Sequence, residues 1–262
     1  MEQVLSIHDR AELERVLRRD PIRHLFALCD LDDRYWPRTV WYGLEVGGVL
    51  QEIVLVYLSS PPPVVMALTG GDGAAMRTLL RSAARLLPPR CYAHLSPGLA
   101  ETLAGTHKVR PRGTLRKMAL TDRAAVLAVD PSGVGPLAAE DLPELERFYA
   151  ASYPNGGFAA AAFQPGRYAG LRLDGVLVGV AGVHAWSAAY RVAALGNIVT
   201  HPAFRGRGIA TRVTASLCRW LLGTVDHVGL VVMADNHAAI RSYEKIGFSH
   251  HSDVEACSLE TR

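Results

Sequence analysis

The chain of 262 residues is expected to be an α/β protein with a mixed sheet, built as two similar halves with the working one C-terminal. Three observations predict this. Strand and helix patterns alternate in both halves, a run of turn and breaker residues separates them at Asp130–Pro136, and each half places a glycine-containing loop before an amphipathic helix. The division follows as 1–125 and 126–262. No sequence repeat relates the halves, so their likeness rests on the order of elements alone.

In the first half, Met1–Arg19 reads as helix, with Leu13, Val16 and Leu17 forming an apolar stripe that ends near Asp20–Pro21. Thr39–Val46 and Gln51–Leu58 read as strands around a hairpin turn at Gly47–Gly48. A short strand, Val64–Leu68, leads into the turn-rich loop Thr69–Gly73. An amphipathic helix, Ala74–Leu87, follows and stops at Pro88–Pro89. Short elements at Cys91–His94, Pro97–Ala104 and Leu115–Leu120 complete the half. The second half opens with a helix carrying Leu145, Phe148 and Tyr149 on one face. Tyr168–Leu173 and Val176–Trp186 are joined by a turn at Asp174–Gly175. In the second of these strands both faces are apolar, as a central strand requires. Strand Val192–Thr200, helix Gly208–Leu222, strand Val228–Met233, helix His237–Ile246 and a last strand after Phe248 close the sequence.

Composition narrows the function classes. A formal charge of +3 with dispersed arginines argues against nucleic acid, because no basic stripe forms. The four cysteines, Cys29, Cys91, Cys218 and Cys257, show no CxxC pairing and no disulfide-scaffold density. No apolar run approaches the ~20 residues that span a bilayer, and no charged-then-apolar leader opens the chain. A reduced, cytoplasmic protein without a metal is the expectation, since no HExxH, CxxC or carboxylate cluster occurs.

The sharpest feature is Asn197–Thr211, where a strand ends at Thr200 and Arg205-Gly206-Arg207-Gly208 opens a helix. The first N–H groups of a helix lack intrahelical partners and carry the positive end of its dipole, so the loop is an anion site. Gly206 and Gly208 permit close backbone approach. Arg205 and Arg207 add charge and a phosphate-matching fork. A pyrophosphate is the ligand this arrangement suits. The Walker pattern GxxxxGK[ST] is absent, and the spacing does not fit a dinucleotide fingerprint.

Arg205-x-x-Gly208-x-Ala210, preceded by Ile198-x-Thr200-x-Pro202, resembles the R/Q-x-x-G-x-G/A signature of the GNAT superfamily of N-acetyltransferases. Asn236-x-x-Ala239-Ile240-x-x-Tyr243-x-x-x-Gly247-Phe248 is similar to its second motif. The resemblance covers Leu195–Phe248, and more weakly the chain back to Pro136. It implies a GNAT-like fold and acetyl-CoA as acyl donor to an amine, attacked directly in a ternary complex. Main-chain groups at Ile198, Val199 and Thr200 would pair with the pantetheine arm, admitted by a splay between neighbouring strands. The amides of Arg205, Gly206, Arg207, Gly208, Ile209 and Ala210, with Thr211 nearby, would hold the pyrophosphate. Asn236 would contact the pantetheine or the acceptor, and Tyr243 would protonate the leaving thiolate. From the residues themselves, the spacing of Ala239, Ile240, Tyr243 and Ile246 turns Tyr243 inward, where a neutral phenol can donate a proton. A core tyrosine role for Tyr243 and an N-cap role for Asn236 stay open.

Amine acylation also needs a base, and Val192–Thr200 carries neither carboxylate nor imidazole. His184 on the neighbouring strand is the leading substitute, against the alternative of a core histidine sharing a face with Val178 and Val180. His201 and His237 are rim candidates, and Tyr153, Asn155 and Phe158 could shape an acceptor pocket. In the N-terminal half the loop Thr69–Gly73 has no arginine, and Asp72 would repel phosphate. This half reads as a degenerate copy that buttresses the other. A small-molecule amine is the expected acceptor, and a homodimer stays open. The competing readings are a non-catalytic acyl-CoA-binding regulatory module and an acetylase of protein lysines or N-termini.

Overall fold

The computed structural model describes residues 2–154, 156, 158–160 and 163–262. Two compact units emerge. Unit 1 comprises Met1–Lys117 with His251–Arg262, and unit 2 comprises Met118–His250. The last twelve residues, assigned by sequence to the C-terminal half, therefore lie in unit 1.

Unit 1 begins with β1 (Glu2–Ser6) where a helix was expected. Its residues pair in register with β2 (Thr39–Val46), so cross-strand hydrogen bonding overrides the local pattern. The helical stripe itself is α1 (Arg10–Leu17), capped by Asp9, whose carboxylate accepts from the amides of Ala11 and Glu12. A short α2 (Leu25–Asp30) follows. β2 turns into β3 (Val49–Tyr57) through Gly47 and Gly48, both with positive φ, the backbone a two-residue hairpin demands. β4 (Val64–Ala67), α3 (Ala74–Ala83), β5 (Arg90–Leu95) and β6 (His107–Leu120) come next. β6 starts earlier than its apolar pattern suggests, because Lys108–Gly113 are strand by pairing and not by burial. The expected helix at Pro97–Ala104 is a 3-10 turn over Ala100–Leu103. The strand order is β1-β2-β3-β4-β5, followed by the C-terminal β12 (Phe248–Thr261) and then β6. Glu255–Glu260 of β12 run antiparallel to Arg90–Leu95 of β5.

Unit 2 holds α4 (Arg123–Ala128), β7 (Val134–Pro136), α5 (Leu142–Ser152), β8 (Tyr168–Leu173), β9 (Val176–Ser187), β10 (Val192–Thr200), α6 (Ile209–Leu221), β11 (His227–Met233) and α7 (His237–Glu244). Its strands are ordered β7-β8-β9-β10-β11. β7 to β10 are linked antiparallel, and β10 to β11 parallel. The scheme β1 to β5 repeats in β7 to β11, with α3 and α6 as the crossovers into the parallel strands. Both crossover helices start from a glycine in the left-handed region, Gly73 at φ +82° and Gly208 at φ +72°. The element order of the sequence thus emerges as two halves built on one scheme.

Two apolar clusters cover opposite faces of the unit 2 strands. One joins Ile209, Val213 and Leu217 of α6 to Ala181, Val183, Ala193 and Leu195. The other joins Leu145, Phe148 and Tyr149 of α5 to Tyr168, Leu177, Val180 and Val199. A β-bulge opposite Leu171/Arg172 corrects the strand faces expected from sequence. Gly179 pairs with Leu171 and Leu177 with Arg172, so Val178 is inserted and packs on the α6 side, away from Val180.

Candidate active site

The parallel pair β10/β11 is in register from Val192/His227 to Leu195/Leu230. Beyond that point both strands continue, to Thr200 and Met233, without pairing to each other among the described residues. The cause lies in β10. On the β9 side, Gly196 pairs with Gly182 and Val199 with Val180, so β10 carries one extra residue. Asn197 absorbs it in the left-handed region, φ +54°, which asparagine tolerates better than most residues. Its side chain amide donates to the Tyr168 hydroxyl at 2.8 Å, and its carbonyl accepts from the Tyr149 hydroxyl at 2.5 Å. Neither tyrosine, nor Asn197 as an anchor, was singled out by the motifs. The legible signal was only that Asn197 is the sole polar side chain before Thr200 on its strand.

At the end of β10, a 3-10 turn over Pro202–Phe204 leads to Arg205. Arg205, Gly206, Arg207 and Gly208 are exposed, while Ile209 is buried and Ala210 and Thr211 are half-buried. A Cβ at Gly206 or Gly208 would meet nothing within 4 Å, so the space over the loop is open. α6 has no side-chain cap, and its first amides are left for an external acceptor. Arg205 Nε reaches the Thr200 carbonyl at 3.4 Å, and the Arg207 guanidinium lies over the Phe204 ring at 5.2 Å. The Thr200 hydroxyl is buried without a hydrogen-bond partner. Ile198 is half-buried and Val199 is buried.

Asn236 caps α7, its side chain accepting from the Ala239 amide at 3.2 Å, and remains exposed. Ile240 and Tyr243 are the buried residues of that helix. Tyr243 packs on Phe248 at 6.1 Å between ring centroids. No hydrogen bond reaches its hydroxyl from the described residues. Burial raises its pKa to about 12, so the phenol holds its proton at neutral pH.

His184 is exposed, not a core residue. It occupies a second bulge, since Ala194 pairs with Ala185 and Leu195 with Val183, leaving His184 unopposed. A Cβ on Gly196 would come within 2.9 Å of the His184 Cβ, so the glycine makes room for the imidazole. Gly196 pairs with Gly182, and a Cβ there would meet the Tyr168 ring at 2.4 Å. His184, Tyr168 and Asn197 are therefore grouped on one side of the strands. Although the residue is exposed overall, desolvation of its ring lowers its pKa from the ordinary 6.5. His201 is committed elsewhere, its Nδ1 accepting from the Ala203 amide at 3.3 Å. His237 opens α7, exposed. Phe158 stacks on Tyr149 with centroids 4.3 Å apart, whereas Tyr153 is exposed and Asn155 lies outside the described residues. Among the described residues no group of His, Cys, Asp or Glu could hold a metal ion, and no helix is long and apolar enough to cross a membrane.

Solved structures share this fold along the whole chain. A Drosophila protein aligns with a TM-score of 0.70 and 17% identity, covering 99% of both chains. An acetyltransferase from the GNAT family of Colwellia psychrerythraea aligns at 0.59 and 12% identity, over 99% of this chain and 100% of that one. A tandem GNAT protein from the clavulanic acid biosynthesis pathway aligns at 0.57 and 17% identity, over 100% and 98%. Such identities establish the fold. In sequence, residues 137–248 match the family model described as Acetyltransferase (GNAT) family, a segment inside unit 2. That likeness to the family covers less than half of the chain and falls on the segment that holds the Arg205–Ala210 loop and Tyr243. No curated protein matches the chain.

Proposed function

We propose that unit 2 is an N-acetyltransferase that moves the acetyl group of acetyl-CoA to the amine of a small molecule. The parting of β10 from β11 beyond Leu195/Leu230, with the open Arg205–Ala210 loop and uncapped helix at its mouth, carries this reading. Unpaired main-chain groups at Ile198, Val199 and Thr200 suit the amides of a pantetheine arm, as a strand edge does. The amides from Arg205 to Ala210, the hydroxyl of Thr211 and the Arg205 and Arg207 guanidiniums suit the pyrophosphate. Asn236 can offer its free amide hydrogens to the arm while its oxygen caps α7.

In the reaction the amine lone pair attacks the thioester carbonyl, the C–S bond breaks, and the amine loses a proton. His184, kept neutral by desolvation, is assigned as the group that takes that proton, directly or through water. Tyr243 is assigned as the donor to the departing sulfur. The test is direct. Acetyl-CoA should bind saturably to the full-length protein, and a screen of small amines should release free CoA thiol with at least one of them. Failure of acetyl-CoA and of longer acyl-CoAs to bind would sink the assignment, and binding without turnover would favour a regulatory module.

Two variants refine it. Arg205→Ala removes one charge-assisted contact, worth about 1.5–3 kcal/mol, so the Kd for acetyl-CoA should rise about 10- to 100-fold in titration calorimetry. An unchanged Kd would place the pyrophosphate elsewhere. The pH profile addresses His184. Its conjugate acid cannot accept a proton, so kcat/KM should be flat near neutrality and fall as pH drops through a pKa below 6.5. In His184→Gln that limb should vanish with a rate loss of about 100-fold. A limb persisting at the same pH in the variant would assign the base to another group.

A further inference from the structure

Unit 1 repeats the crossover of unit 2 but closes it. β4 and β5 are parallel and in register to Ala67/Leu95. Past that pair the Ser96 amide donates to the Ala67 carbonyl at 3.0 Å, and the Thr69 amide donates to Ser96 Oγ at 2.9 Å. The strands stay joined where β10 and β11 part. The loop before α3 also uses its own donors. Gly71 N donates to Thr69 Oγ1 at 3.1 Å, Ala74 N to the Asp72 carboxylate at 2.9 Å, and Arg77 to the Asp72 carbonyl at 2.8 Å. Neither an arm between the strands nor a pyrophosphate on the loop is provided for.

A cavity of about 430 Å³ nonetheless opens beside Thr69, within unit 1, of a size that suits a small ligand. Its charged walls are Arg19, Asp20, Arg23 and Glu52. Two of these charges, Glu52 and Arg19, form no direct ion pair among the described residues. Glu52, half-buried on β3, accepts from the Thr69 hydroxyl at 2.6 Å and has no ion-pair partner among the described residues. Burial pushes its pKa up, against the opposing pull of the Thr69 hydrogen bond and of the Arg19 and Arg23 charges. Among the described residues Arg19 donates only to main-chain carbonyls, of Leu50 at 3.0 Å and Gln51 at 3.5 Å. Arg23 gives Nε to Asp20 at 3.0 Å, while its guanidinium lies beside Gly70, where a Cβ would be in ordinary contact with it at 3.5 Å. Asp20 is further taken up by His251 at 3.0 Å. The linker carrying Arg23 is fixed from behind, because the buried Lys117 ammonium donates to the Arg23 carbonyl at 2.6 Å and the Ile22 carbonyl at 3.4 Å. The recess is thus preorganised.

We propose that this cavity of unit 1 binds a small zwitterion of the α-amino-acid class, its ammonium on Glu52 and its carboxylate on the guanidiniums of Arg19 and Arg23. A simple anion would face the Glu52 carboxylate and a simple cation the two arginines, whereas a ligand with both charges complements both sides of the wall. Val16 and Ile53 leave a short apolar wall for a side chain. The lining of the site lies wholly within unit 1, and its ligand is independent of the acetyl transfer proposed for unit 2.

The experiment uses the full-length protein and the proteinogenic α-amino acids one at a time in titration calorimetry, with their N-acetyl and methyl-ester derivatives as probes lacking one charge. At least one amino acid should bind saturably, and its two derivatives should bind about tenfold or more weakly, as loss of a charge-assisted contact implies. Glu52→Gln, which keeps an oxygen for Thr69, should weaken binding to the same degree, and Arg23→Gln likewise. Arg205→Ala and Tyr243→Phe should leave it unchanged, and binding should persist even if the protein takes no acetyl-CoA. Circular dichroism checks that the variants fold, and Glu52→Gln decides the matter if Arg23→Gln does not. The proposal is overturned if no amino acid binds, if the derivatives bind equally well, or if binding follows the unit 2 variants and ignores Glu52→Gln.

Discussion

Tyr243→Phe should lower kcat about 100-fold while leaving the KM for acetyl-CoA nearly unchanged, as expected when a proton donor used only in the transition state is removed. The substitution deletes one oxygen and keeps the ring that packs on Phe248, so the core around α7 is preserved. The effect should be large because the hydroxyl has no structural partner among the described residues to lose. Its pKa of about 12 also means that it enters the reaction protonated. A departing thiolate is a poor leaving group when unsolvated, and this is the step that the proposed mechanism assigns to the phenol. Steady-state kinetics with thiol detection reads the result. A variant with the parental kcat would return Tyr243 to the status of a core residue.

Gly247→Ala should be the most destabilising single-methyl change in unit 2 that the motifs point to. Gly247 has φ +88°, and a Cβ there would lie 2.1 Å from the Asp122 carbonyl oxygen. That oxygen cannot easily withdraw. The Thr121 and Asp122 amides both donate to the Gly247 carbonyl, at 2.9 and 3.0 Å, and the Asp122 side chain caps α4. Left-handed strain of about 1–2 kcal/mol adds to an overpacking cost of about 1–3 kcal/mol. The midpoint of thermal unfolding should fall by roughly 5 to 15 °C, measured by calorimetry. A shift under about 1 °C would show that the turn relaxes freely. The result also separates two reasons for a glycine in this motif, because a packing role lowers stability whether or not coenzyme is present.

The readable parts of this protein are those fixed by short stretches of chain. The hairpin at Gly47–Gly48, the amphipathic α3 and α6, and the glycines before those helices follow from local periodicity and φ preferences. The alternating elements gave the α/β class and the two related halves. β1 was misread because five residues next to a helical stripe carry too weak a period to outweigh it. α4 was missed because it is only six residues long and sits beside a breaker-rich run. His184 shows the limit most clearly. Simple alternation placed it with Val178 in a core, but two bulges shift the register of β9, and the ring emerges exposed beside Gly196.

The sequence by itself determined a glycine-opened helix start behind Arg205–Gly208, a helix that buries Tyr243, and a left-handed glycine at 247. Each is a matter of helix ends, spacing and backbone freedom within a few residues. Only the tertiary structure decided that β10 parts from β11 while β4 and β5 stay joined, that Asn197 is anchored by Tyr149 and Tyr168, and that residues 251–262 belong to unit 1. These depend on which strand lies beside which and in what register. Such pairings join residues far apart in the chain, and their hydrogen bonds leave no period in the local sequence to be read.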